Sequence, residues 1–130
     1  WHLSGEDTKN KQLHIIPLSK QAKEILDQLL ELDGEFLIKT GRIGDKPVNG
    51  FSKTKVQLDR LSGVTDWKFH DIRRTVATNL SKLGVDRFLL QRIVNHTDSG
   101  VTAIYDRYSY LEEKREALQK WADRLDDIVQ

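Results

Sequence analysis

The sequence predicts an α+β fold that is mainly α, with a small antiparallel β-hairpin near the amino terminus. Three observations carry this expectation. Apolar residues recur at helical spacing in several separate stretches, two short β-like pieces flank a polar turn within residues 1–16, and Ser, Asp and Gly stand where the helical stretches begin and end.

The elements follow in order. Trp1 to Ser4 and Leu13 to Ile16 flank GEDTKNK, so a hairpin is the simplest assignment, with Lys9 at or near its tip. Ser19 can cap a helix whose Ile25, Leu26, Leu29, Leu30 and Leu32 fall on one core-facing stripe, and Asp33 with Gly34 ends it. Phe36, Leu37 and Ile38 read as a brief strand, after which the turn-rich TGRIGDKPVNG reads as a surface loop. Ser52 starts another helix, to about Leu61. His70 opens the best-defined helix, in which Ile72, Val76, Leu80 and Leu83 recur at helical intervals and Gly84 supplies a left-handed stop. Asp86 can cap a helix bearing Leu89, Leu90, Ile93 and Val94, which breaks at Asn95 to Gly100. A short helix around Ala103 to Tyr108 follows. From about Leu111 a densely charged helix buries Leu118, Trp121, Leu125 and Ile128 on one stripe.

Composition sets the outer bounds. A chain of 130 residues suits one domain, or part of one, and is too short for two well-packed domains. The absence of cysteine leaves no disulfide framework and no Cys-based metal site, which suits a reducing compartment. No apolar run approaches the roughly 20 residues that cross a bilayer, and WHLSGEDTKNK is not a signal peptide, so a soluble, cytoplasmic protein is expected. The chain starts at Trp1 and contains no Met, which points to a piece of a longer gene product. Net charge is only +1, yet Lys68 to Arg92 holds six basic residues against two acidic ones. Such a stretch can bind phosphates, or serve as a solvated helix face.

Four polar side chains stand out in the downstream half. FHDIRRT places His70 and Arg73 three residues apart on one helix face, His96 follows 23 residues after Arg73, and Tyr105 follows 9 residues after His96. A phosphodiester repels nucleophiles, so its cleavage needs cationic donors on the non-bridging oxygens as charge builds. The planar fork of Arg73 can donate two parallel hydrogen bonds to a phosphate and stays charged at any working pH. His70 can accept or relay a proton near neutrality, its ordinary pKa being about 6.5, or simply bond locally at the helix start. Arg74 diverges from Arg73 by about 100° around the helix and reads as structural. His96 can donate to phosphate or cap its turn. A tyrosine, with an ordinary pKa of about 10, attacks only when a base or nearby cations favour the phenolate, and the residues alone leave Tyr105, Tyr108 and Tyr110 open.

The order H-x-x-R, His, Tyr, with the surrounding RRTVAT, NH, IYDRYSY and EKREALQKWADRL, resembles the carboxy-terminal catalytic segment of the tyrosine recombinase or phage integrase family over Phe69 to Leu125. Upstream, TKNKQLHIIPLS resembles the hairpin that carries the family's catalytic lysine, eight residues before the Pro of PLS, which selects Lys9 over Lys11. The resemblance implies the family's helical catalytic fold. It assigns Tyr105 as nucleophile, Arg73 as phosphate clamp, His70 as acid/base, His96 as phosphate hydrogen-bond donor and Lys9 as general acid to the leaving 5′-oxygen. It implies no cofactor and no metal, since bond energy is kept in a 3′-phosphotyrosyl link. Its partners would be double-stranded DNA attachment sites, with a homo-tetramer assembled on two of them and carboxy-terminal segments exchanged between protomers.

The family's set also includes an arginine upstream of the lysine hairpin and a separate DNA-clamping domain, neither of which has a counterpart after Trp1. Residues 1–130 are therefore expected to be a partial catalytic domain, inactive or weak in recombination alone. The alternative is a non-catalytic helix-turn-helix DNA-binding module built from residues 71–83, Gly84 and residues 86–94. That module needs none of Lys9, His96 or Tyr105.

Overall fold

The computed structural model describes residues 1–30, 36–37, 50–96 and 109–130. Its described elements run β1 (His2–Leu3), β2 (His14–Ile15), α1 (Lys20–Leu30), α2 (Phe51–Ser62), α3 (Phe69–Lys82), α4 (Arg87–Ile93) and α5 (Leu111–Val129). The fold is thus mainly helical with one small antiparallel sheet, as the periodicities predict. Among the described residues no helix is long and apolar enough to cross a membrane.

The hairpin is shorter in regular pairing than the sequence suggests. β1 and β2 pair in the register His2 to Ile15 and Leu3 to His14, and the Trp1 nitrogen and carbonyl both bond Ile16 at 2.8 Å. Side chains, rather than a ladder, organise the rest. The buried Thr8 hydroxyl donates to the Gln12 carbonyl (2.7 Å), and the Ser4 hydroxyl donates to the Asp7 carboxylate (2.7 Å). Gly5 runs so close to the returning chain that a Cβ there would lie 2.6 Å from the Lys11 carbonyl oxygen. Only glycine fits that crossing without a shift.

α1 begins at its expected cap, with the Ser19 hydroxyl accepting from the Ala22 N–H (3.2 Å). Its stripe is only partly used. Leu26 and Leu29 are half-buried, whereas Ile25 and Leu30 are 60% and 68% exposed, so the expectation of one core-facing stripe is corrected. The reason lies in its partner. α1 meets α5 through polar groups, with Gln119 accepting from the Lys20 N–H (2.9 Å) and Gln21 donating to Asp123 (3.0 Å) and Asp126 (2.7 Å). Leu32 and the Asp33-Gly34 stop lie outside the described residues. Phe36 and Leu37 are not in a strand, contrary to expectation, while Ile38 and most of the following loop are outside the described residues.

α2 starts one residue earlier than Ser52 implies, after Gly50, and closes on Gly63, both in the left-handed region (φ 78° and 71°). Its ring contact is with the entry to α3: Phe51 meets Phe69 edge-on at 6.2 Å, Phe69 meets Trp67 at 5.4 Å, and the Lys55 ammonium sits 4.5 Å over Trp67.

α3, α4 and α5 make the core. Leu80, fully buried, packs with Ala117 and Trp121, and Val76, Leu83, Val85, Leu89, Leu90 and Ile93 close around them. Ile72, expected on the α3 stripe, is 54% exposed because it stands a turn beyond the reach of this junction. α5 is likewise corrected: Lys114, Ala117, Trp121 and Ala122 are its buried residues, while Leu125 and Ile128 are exposed. The seam follows positions 114, 117 and 121, with Ala122 buried beside it, and among the described residues α1 meets the helix beyond them through polar groups.

Candidate DNA-processing site

Two helix ends share one backbone pattern, and the second of them carries His96. α3 ends at Gly84 (φ 83°), with the Val85 N–H bonding the Leu80 carbonyl (3.0 Å) and the Gly84 N–H bonding the Ser81 carbonyl (3.1 Å). This is a Schellman stop, and Val85 tucks into the core beside it. α4 ends the same way with asparagine in place of glycine: Asn95 adopts φ 53°, its N–H bonds the Arg92 carbonyl (3.4 Å), and the His96 N–H bonds the Gln91 carbonyl (2.9 Å). The His96 backbone is therefore pinned, and its side chain stands exposed at the head of the turn. α4 itself starts on Asp86, whose carboxylate accepts from the Phe88 (2.8 Å) and Leu89 (3.1 Å) N–H groups.

His70 and Arg73 lie in the first turns of α3, both exposed. The Asp71 carboxylate accepts from the Lys68 N–H (2.9 Å) and pairs with Arg74 at 3.4 Å. The first of these bonds, with Arg74 second, lowers the Asp71 pKa from the ordinary carboxylate value. Arg74 is thus turned to its own helix and away from the Arg73 face. Lys9 is exposed within the 4–13 connection of the hairpin. Tyr105 and Tyr108 lie outside the described residues. Tyr110 is engaged in packing: its ring meets Phe88 edge-on at 5.3 Å, and the Arg92 guanidinium stacks over both rings, at 4.6 Å from Phe88 and 4.9 Å from Tyr110.

The structure links these regions through residues the sequence reading passed over. The Asn10 amide donates to the Asn95 side-chain oxygen (2.9 Å), tying the residue after Lys9 to the residue before His96 across 85 positions of sequence. His14 of β2 is buried where α3, α4 and α5 approach the hairpin. Burial lowers its pKa first, Lys114 second, and Arg73 adds to this, while a hydrogen bond to the Ile93 carbonyl opposes them. Lys114, also buried, donates to the Ile15 carbonyl (3.4 Å), and desolvation followed by the Arg92 charge lowers its pKa. The hairpin is thus bonded to Asn95, just past α4, and to Lys114 of α5, and its His14 lies within the field of Arg73. Two sequence signals point this way in retrospect. Lys114 shares the i, i+3, i+7 seam of Ala117 and Trp121, and Asn95, like Gly84, stands at a helix stop where a left-handed residue is favoured.

Comparison with known proteins places this geometry in context. The phage integrase family description matches residues 1–112. Prophage integrase IntZ of Escherichia coli K12 is 30% identical over 131 residues, covering 98% of this chain and 32% of that protein. Prophage integrase IntA of the same organism is 30% identical, covering 95% of this chain and 30% of its own length. A tyrosine recombinase of Thermosipho africanus is 27% identical over 91% of the chain and 42% of its own. The chain spans about a third of the length of the prophage integrases it matches. No solved structure matches it.

Proposed function

The chain belongs to the phage integrase family, and from that premise we propose that residues 1–130 form the greater part of the catalytic domain of a phage- or prophage-type site-specific DNA recombinase. Tyr105 is the nucleophile. Its phenol loses a proton to His70 as its oxygen bonds the scissile phosphorus, while Arg73 and His96 donate to the non-bridging oxygens. The bond from phosphorus to the 5′-oxygen breaks, and that oxygen takes a proton from the Lys9 ammonium. The product is a 3′-phosphotyrosyl link and a free 5′-hydroxyl. The same steps in reverse, with a 5′-hydroxyl from another strand, reseal the backbone without ATP.

The observation that carries this reading is the Asn10 to Asn95 bond, which ties the Lys9 hairpin to the His96 turn beside the helix that bears His70 and Arg73. The helix-turn-helix reading needs α4 to present side chains to a DNA groove. Six of its seven residues are half-buried, and only Arg87 is exposed. That favours the enzyme.

In this reading the partners are duplex attachment sites and three further protomers. The test is covalent capture on a denaturing gel, with a recombinase of the relatives' length carrying this segment and duplexes spanning the ends of the genetic element that encodes it. Wild type gives a protein–DNA adduct and Tyr105→Phe gives none. An undiminished adduct in Tyr105→Phe overturns the assignment.

A further inference from the structure

We infer that Asn10 and Asn95 are positioning residues, a side-chain bridge that sets the Lys9 ammonium against the same phosphate that His96 contacts. The inference deepens the function proposed above and rests on the roles given there to Lys9 and His96. Lys9 and His96 are far apart in the sequence, and each is exposed, so neither is located by its own packing. What locates them is adjacent. Asn10 and Asn95 are both half-buried, and their amides meet at 2.9 Å.

Each partner is itself fixed. The Asn10 side-chain oxygen accepts from the Gln12 N–H (3.3 Å), the Thr8 hydroxyl braces the loop on the Gln12 carbonyl, and Gly5 admits the close crossing at Lys11. Asn95 is held at φ 53° by the stop of α4, a conformation asparagine tolerates better than most residues and whose side chain is then free to reach across. A glycine would serve the backbone equally well. Asparagine adds the one contact glycine lacks, and that contact goes to the hairpin. The Lys114 ammonium, which donates to the Ile15 carbonyl at 3.4 Å, fastens the same hairpin to α5. A proton donor gains its effect from placement, so a hairpin free to drift by a fraction of an ångström donates poorly even though its lysine is intact.

The test uses the full-length recombinase with two versions of its cleavage duplex, one natural and one with sulfur replacing the bridging 5′-oxygen. A thiolate leaves without a proton, so the sulfur duplex bypasses the general acid. Asn95→Gly keeps the left-handed turn and removes the bridge, and Asn10→Ala removes it from the other side. Each is expected to slow cleavage of the natural duplex on the order of tenfold, with DNA affinity unchanged and with the loss largely recovered on the sulfur duplex. Asn10→Asp, which lets the Asn95 amide turn and donate to the new carboxylate, is expected to restore the natural rate. A wild-type rate in Asn95→Gly, or equal slowing on both duplexes, overturns the bridge. Should Lys9→Ala itself gain nothing from sulfur, the general-acid role falls, and the Asn10→Ala, Asn95→Gly double variant decides the bridge. A double no slower than either single retains it, and multiplied losses overturn it.

Discussion

The hairpin at residues 1–16 and the junction of α3, α4 and α5 fix their backbones by opposite means. The junction is apolar: Leu80, Ala117 and Trp121 are shut away from water and tolerate little change of volume. The hairpin has two residues of strand on each side and is shaped by a buried hydroxyl, a carboxylate, two amides and one obligatory glycine. Packing gives strength to the first, and directional bonds give shape to the second. The residues proposed for catalysis are divided between them, with His70, Arg73 and His96 carried by the junction and Lys9 by the hairpin.

That division can be tested from its strong side to its weak one. Leu80→Ala opens a cavity in the only fully buried large side chain among the described residues and is expected to cost about 3 kcal/mol or more, seen as a large fall in thermal midpoint. Gly5→Ala is expected to act locally: the Cβ forces the Lys11 carbonyl aside at a cost of about 1–3 kcal/mol, raising amide exchange over residues 4–13 while the α3 amides stay protected. A uniform loss of protection would show that the two regions fold as one unit.

Acidification probes the seam between them. His14 has a folded pKa below its ordinary 6.5, because burial and Lys114 disfavour the imidazolium, so the unfolded chain takes up that proton first. Stability therefore falls as pH drops through about 6.5, with a slope of at most about 1.4 kcal/mol per pH unit, and levels off below the folded value. His14→Gln is expected to flatten this decline, measured by urea titration between pH 7 and 5. The paired carboxylates Asp71 and Asp123, whose pKa values are lowered, lose their contributions only at more acidic pH and leave that window clear. The smallest effect is expected from Thr8→Val, about 1 kcal/mol, from loss of the hydroxyl bond to Gln12.

The two regions also differ in how far the sequence reveals them. The limits of α3 and α4 are readable to within a residue or so, since Gly84 and Asp86 are local signals with local consequences. Helix faces are read less well. Ile25, Ile72, Leu125 and Ile128 satisfy the helical period yet stand exposed, because periodicity says which residues share a face and not how far the neighbouring helix extends. Of the proposed site, His70, Arg73 and His96 are singled out by type and interval, and Lys9 and Tyr105 by the family resemblance. The Asn10 to Asn95 bond and the burial of His14 and Lys114 are not, for they join residues about 80 to 100 positions apart in the chain, and no local pattern encodes a distant partner.

Helix α5 carries both kinds of attachment along its length. Its middle is seated by Ala117, Trp121 and Ala122, and it is laced to Gln21 of α1 by Gln119 before Trp121 and by Asp123 and Asp126 after it. Water can replace amide and carboxylate bonds one at a time, at little cost for each, whereas a buried indole leaves its socket in a single concerted event. The helix is therefore expected to fray from its carboxyl end in small reversible steps as far as Ala122 and Trp121, like a zip with a stitched end.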